Sequence, residues 1–398
     1  MRKLLVLLAA VALVVAFTVP ATAFESEFGG YWRTRAFMHT NFSGDDTESA
    51  DQTAVDTRTR LYYTAKFSDN LKFVNKFEMD AVWGGEEDPA KAWDSQYGDI
   101  GTDGVRVEVK NSYADFNLGA FNFKVGAHAA WLGRGFWYDD DHMGITATYK
   151  GNGVTIPIYW IKAEEGGKGK DANDDDIDYY VVAPSFKLGI GKVQPWLALE
   201  QSKGSDLAAT NIGLDADVKF GSVAVWFSAI LQGGDEAKDV CREGQLLAVG
   251  FKMPMGTVGI HGSVNYATGD DPDTADTNEG FAAFSPYWVH AEILGPGVTD
   301  NAISNNSPGF ALTNLMAYNV GVSFSPTKKL KLSIDLWDAT LNEEVGGETK
   351  LGTEIDVKAT YALVDNMKLD VVYAYLSAGD ATGDESPTEI ATRLSISF

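Results

Sequence analysis

A single cysteine, Cys241, in 398 residues excludes a disulfide framework, an iron–sulfur site built by this chain alone and a CxxCH haem attachment. Basic residues are scarce as well. The 32 Lys+Arg face 56 Asp+Glu, a formal charge of −24, and such a chain has no basic surface with which to release counterions from phosphate. Nucleic acid is therefore excluded as a partner. Long apolar runs are missing: after the N-terminal stretch nothing comes near the roughly 18 apolar residues of a membrane-spanning helix. The histidines, His39, His128, His142, His261 and His290, show no metal-ligand spacing, and neither a G-x-S-x-G elbow nor a phosphate loop occurs. No catalytic, cofactor-binding or metal-ligating residue is assigned, and no enzymatic activity or cofactor is expected. A surface hydrolase assembled from separate strands stays open as an alternative.

What is present is glycine and aromatics: 41 Gly, 21 Phe, 16 Tyr and 10 Trp, the makings of turns and strands. The N-terminus sets the compartment. Arg2 and Lys3 precede an apolar run from Leu4 to Phe17, and Ala21-Thr22-Ala23 supplies small residues for cleavage, so residues 1–23 read as a secretory signal. No cysteine follows that could carry a lipid anchor. Removing Arg2 and Lys3 takes the charge from −24 to −26 and leaves 24–398 as one domain of a bacterial envelope protein, expected in the outer membrane.

From Phe28 onward apolar and polar residues alternate at period 2 in stretches of roughly 10 to 14 residues, the length of a tilted membrane-crossing strand. Val55, Thr57, Thr59, Leu61, Tyr63, Ala65 and Phe67 share one face; Asp56, Arg58, Arg60, Tyr62 and Lys66 share the other. A soluble sandwich alternates too, so the connections discriminate. Tight turns such as Ser68-Asp69-Asn70, Gly151-Asn152-Gly153 and Asp365-Asn366 alternate with longer segments near 42–53, 84–104, 133–143, 268–312 and 342–350. Short turns on one side and long loops on the other describe an all-β transmembrane antiparallel barrel. Strands run from 28–41, 54–67 and 71–83 to 388–398, and the count is 18; it falls to 16 if 144–150 and 154–164 belong to the constriction. Either size leaves an aqueous lumen.

The last strand alternates Ile390, Leu394, Ile396 and Phe398 with Arg393, Ser395 and Ser397. It resembles the terminal strand of bacterial outer-membrane barrels, which implies recognition of Phe398 by the barrel-assembly machinery. Thr57-Arg58-Thr59-Arg60-Leu61, Asp69-Asn70-Leu71-Lys72-Phe73-Val74, Phe77-Glu78, Trp83-Gly84, Val107-Glu108-Val109-Lys110 and Tyr113-Ala114-Asp115-Phe116 resemble the trimeric porins of sulfate-reducing bacteria and their relatives. The likeness is clearest over residues 28–150. It implies a passive diffusion channel for small hydrophilic solutes and ions, and a homotrimer among outer-membrane lipid and lipopolysaccharide; the solute is not carried over. A substrate-specific channel, for sugar acids or polysaccharide export, and a barrel sheath around a porin–cytochrome electron conduit are the alternatives.

Pore-lining selectivity residues follow from the alternation. Arg33 and Arg35, Arg58 and Arg60, and Lys72 and Lys76 fall on the polar faces of the first three strands, with Glu78 and Asp80 among them. In general porins the third external loop turns inward and presents acids to a basic wall. Here that loop carries Arg134, Phe136, Trp137, Tyr138 and the acids Asp139, Asp140 and Asp141, which are expected to face the arginines. Because this loop is short, the 268–312 segment with Phe281, Phe284, Tyr287 and Trp288 is the rival plug. Acid runs on other loops, Asp174-Asp175-Asp176 among them, read as a solvated rim; Asp171, Asn173 and Asp175 start like a calcium loop, but Asp176 and Val182 stand where its turn glycine and bidentate ligand are needed.

Overall fold

The computed structural model describes residues 24–44, 51–85, 98, 105–166, 176–202, 205–286, 291–303 and 312–398. The expected signal peptide lies outside the described residues, as do Tyr287, Trp288, His290 and the acid runs at 45–46, 86–88 and 174–175. No helix among the described residues is long and apolar enough to cross a membrane.

Eighteen barrel strands can be traced among the described residues. They are β1 Glu25–Thr40, β2 Gln52–Ser68, β3 Leu71–Val82, β4 Glu108–Leu118, β5 Phe121–Leu132, β6 Tyr138–Gly151 and β7 Val154–Glu164. Next come β8, in two segments Ile177–Val182 and Ser185–Leu188, then β9 Gly191–Ser202, β10 Ala208–Phe220, β11 Val223–Ala237, β12 Gln245–Met255 and β13 Val258–Ala267. The circuit ends with β14 Leu315–Phe324, β15 Leu330–Val345, β16 Glu348–Val364, β17 Met367–Ala378 and β18 Thr388–Ser397. Each pairs antiparallel with its neighbours, and β18 returns to β1 in register from Tyr31↔Ser397 to Thr40↔Thr388. Closure matters because a sheet edge in lipid would leave its N–H and C=O groups without partners. At the seam Phe398 and Gly30 exchange two backbone hydrogen bonds, of 2.8 and 3.1 Å. Gly30 is required there, since a Cβ would stand 2.5 Å from both the Phe398 ring and the Arg60 carbonyl oxygen.

The choice between 16 and 18 strands is settled by β6 and β7, which pair continuously with each other and, through β6, with β5. The expected 133–143 loop shrinks for the same reason. Tyr138 to His142 lie opposite Leu132 to His128 in the ladder, leaving only 133–137 as the connection. The expected 342–350 loop is likewise two long strands joined by Gly346 and Gly347, at φ +65° and +89°, the backbone a two-residue hairpin turn demands.

Outside, the alternation puts apolar side chains toward lipid: Leu61, Phe73 and Leu336 are exposed, Tyr63 lies against the exposed Phe28 at 5.1 Å, and Phe77 stands opposite Leu61. Trp226, though apolar, faces inward. It is opposite Asp217 and shares the inner face of β11 with the buried Ser228 and Ile230. Residues 223–231 are apolar on both faces of β11, apart from Ser228, so period 2 carries no sign there. Two inward tryptophans lie flat over glycines on the next strand: a Cβ on Gly213 would meet Trp196 at 1.9 Å, and one on Gly250 would meet Trp226 at 2.4 Å.

The charged wall and the inserted loops

The buried cluster of this barrel lies inside the lumen, where external connections fold back onto the inner wall. Two do so. The short 133–137 connection turns at Gly133 and Arg134, at φ +58° and +57°, and inserts Phe136, Trp137 and Tyr138, each at most 2 % exposed. Trp137 meets Trp196 of β9 at 5.1 Å between ring centres. The long 268–312 connection then crosses the lumen. Phe284 stacks on Tyr179 at 3.9 Å and on Tyr138 at 4.8 Å, and Phe281 is buried beside them.

On the far side the segment 291–303 docks on β16, β18 and β1. The Glu354 carboxylate, fully buried on β16, accepts the backbone N–H groups of Glu292, Ile293 and Leu294, each at 2.8 Å. Three converging donors use three of the roughly four acceptor sites of a carboxylate, so the loop is tied by hydrogen bonds to the wall in place of water. Thr299 Oγ1 donates to Glu389 at 3.0 Å, and His39 Nε2 lies 2.9 Å from the same oxygen. Lys358 lies 3.3 Å from Glu292, whose other oxygen accepts the N–H of Val298 at 2.6 Å. Ile293, Leu294, Val298 and Ile303 are buried beneath.

The arginines form a row across β1 and β2. Arg58 donates Nε and Nη2 to Asp80 at 2.7 and 2.6 Å, Arg60 bonds Glu78, and Arg35 grips Asp56 with Nε at 2.9 Å. Arg35 also donates to the Val298 carbonyl at 3.1 Å. The acid that faces this row from a loop is Asp300: Arg33 reaches it at 2.5 Å, Arg35 at 2.9 Å and Arg58 at 3.9 Å. Burial alone would lift the Asp300 carboxyl, but the three guanidinium groups outweigh it and hold it below the usual carboxylate range. A cavity of ≈ 230 Å³ opens beside this cluster, bordered by Gln52, Asp56, Asp80, Thr299 and Asn301.

The remaining residues singled out in the sequence go elsewhere. Lys72 pairs with Asp115 at 3.3 Å, and Lys76 lies over the Tyr62 ring at 5.2 Å. Arg134 sits over Trp226 at 5.0 Å and bonds Asp217 at 2.8 Å, near β10 and β11. The expected juxtaposition of Asp139, Asp140 and Asp141 with the arginines is replaced by local contacts. Asp139 is opposite the exposed Trp131 and its N–H donates to Ser285; Asp140 accepts from Ser285 Oγ at 2.8 Å; Asp141 pairs with Lys110 at 2.9 Å. The reason is that all three are ladder residues of β6 and not loop residues. Sequence reasoning missed Arg393, which grips Asp370 at 2.8 Å directly beside Arg35, and the Glu354 clasp, although both lie on alternating strands where the same period-2 argument applies. Asp300 carries no such signal.

No protein-family profile matches this sequence, and no curated protein matches it. Solved structures do. Pseudomonas aeruginosa OpdK with vanillate superposes with a TM-score of 0.64 at 10% identity, covering 94% of this chain and 98% of that one. OccK8 (OprE) of the same organism gives 0.63 at 10%, with 94% and 98% covered. A BenF-like porin from Pseudomonas fluorescens Pf-5 gives 0.60 at 11%, with 94% and 99% covered. At such identities the likeness is one of architecture, and the chain has the closed antiparallel barrel fold of these outer-membrane porins.

Proposed function

We propose that the protein is a passive diffusion channel of the bacterial outer membrane for small hydrophilic solutes and ions. The observation that carries this reading is the pairing of a charged inner wall with a loop segment docked against it. Arg33, Arg35, Arg58, Arg60 and Arg393 line three adjacent strands, and the 291–303 segment narrows the lumen beside them. A barrel of this size that served only as a membrane scaffold would need no charged row inside, whereas a constriction uses it to sort solutes. Ion conduction by the purified protein in planar bilayers, without any partner, tests the proposal. Absence of conductance would favour the sheath of an electron conduit.

A narrower reading, a substrate-specific channel, is favoured by the convergence of three guanidinium groups on one carboxylate. OpdK, solved with vanillate, offers a parallel for an organic acid in such a barrel, though the relation is one of fold only. The motifs of residues 28–150 support the finer assignment to the trimeric porins of sulfate-reducing bacteria. A homotrimer in contact with lipid and lipopolysaccharide, and assembly through Phe398, belong to the same reading. Mass measurement of the protein in detergent tests the trimer.

A further inference from the structure

We propose that Arg33, Arg35 and Arg58 form a carboxylate-binding site and that Asp300 is its tethered occupant, which a solute carboxylate displaces in crossing the constriction. Arg33 stands directly opposite Arg58 in the β1–β2 ladder, and Arg35 stands opposite Arg393 across β1–β18. Like charges facing each other on adjacent strands destabilise a sheet, so this arrangement is suited to holding an anion more than to holding the wall. With Arg60 included, four cations here meet four carboxylates among the described residues, Glu78 pairing with Arg60 and lying 3.6 Å from Arg58. Asp80 fills the fork of Arg58 and Asp56 takes one edge of Arg35, while Asp300 is the acid within reach of Arg33 among the described residues. With Asp300 in place the cluster is neutral; with it displaced, one positive charge and a gap shaped for a carboxylate remain.

Three further observations fit an exchangeable occupant. Asp300 belongs to a loop and not to the wall, at a φ of +58° that aspartate tolerates, so it can leave without breaking the ladder. The buried Nε of Arg33 has no hydrogen-bond partner, so the present occupant leaves one donor of the site unused. The cavity of ≈ 230 Å³ borders the carboxylate and gives a small acid room to approach before Asp300 leaves. The loop need not undock for this. Glu354 and Glu389 hold its other residues independently. Displacement during transit rests on the channel reading above; the site itself does not.

Chemical rescue tests both parts with formate as the probe. Full-length protein folded in detergent, wild type and Asp300→Ala, is melted in sodium formate and in sodium chloride of equal strength. The variant should gain roughly 2 °C or more in formate over chloride, whereas wild type should not distinguish the salts. An Asp300→Ala protein that treats formate and chloride alike, or a wild type that gains as much, overturns the site. Should the alanine variant fail to fold, Asp300→Asn keeps the shape without the charge and carries the same comparison. In bilayers, Asp300→Asn should shift the reversal potential toward anions and be blocked at roughly tenfold lower formate concentration than wild type. Formate stabilisation without any conductance would uphold the site and refute the channel; conductance without formate preference would do the reverse.

Discussion

Glu354→Ala is the most incisive perturbation of the inserted loop. The carboxylate accepts three backbone N–H groups at 2.8 Å from a position with no solvent exposure, and alanine leaves all three without partners. Each orphaned buried donor costs roughly 1–3 kcal/mol, so the three together bound the loss at roughly 3–9 kcal/mol. Lumen water that enters the vacated space recovers part of it, which places the expected loss near 3 kcal/mol. That changes the docked-to-undocked ratio by roughly two orders of magnitude, since about 1.4 kcal/mol is a factor of ten. The clasps at Asp300 and Thr299 remain, so the loop should leave in excursions and not permanently. Single-channel recording should show a larger conductance with frequent partial closures, and protease should cut within 291–303 faster than in wild type. Glu354→Gln retains one accepting oxygen but turns an amide toward an N–H, and should fall between the two. Unchanged conductance and unchanged cleavage in a variant whose barrel still shows heat-modifiable migration would refute the reasoning, because the loop would then not depend on this carboxylate.

Replacing Phe73, exposed on the outer face of β3, by Arg should cost on the order of 2–4 kcal/mol near the midplane, read as a lowered urea midpoint in lipid vesicles; no change would mean that the register is inverted. Gly213→Val should prevent folding or displace Trp196, because even a Cβ would stand 1.9 Å from its ring, and the loss of near-ultraviolet circular dichroism reports it. The depressed Asp300 carboxyl contributes to docking fully above the ordinary value of about 3.9 and loses that contribution as pH falls through its lowered value. Wild-type conductance should therefore hold steady down to about pH 4 and rise below it, a rise that Asp300→Asn should lack. Neutralising Arg58 and Arg60 to Gln should raise cation preference in a salt gradient, while Asp139, Asp140 and Asp141 changed to Asn should leave the reversal potential within a few millivolts of wild type, since Ser285 and Lys110, and not the arginines, are the neighbours of Asp140 and Asp141.

What was legible follows from how far along the chain the information lies. A barrel strand announces itself by period 2 and its neighbour by the turn between them, so Arg58, Arg60, Glu78 and Asp80 could be placed on one inner face from a few dozen residues, and their pairing is between adjacent strands. Where both faces of a strand are apolar the alternation loses its contrast, and nothing in the 223–231 stretch of β11 says that Trp226 faces inward to Arg134. Loop contacts are of another kind. Arg33 and Asp300 are 267 residues apart, and nothing in the composition of 291–303, a short apolar run with Glu292 and Asp300, says which wall it meets. The acids of 139–141 are conspicuous, yet the direction in which the connection packs decides what they meet. The five-residue connection at 133–137, between β5 and β6, buries its aromatics toward β9 to β11 and so turns away from β2 and β1, which lie no farther round the wall; the segment 291–303 docks on β1, β16 and β18. The packing of the inserted apolar side chains, and not the number of acids in a loop, is therefore the better guide to which acid meets the arginines.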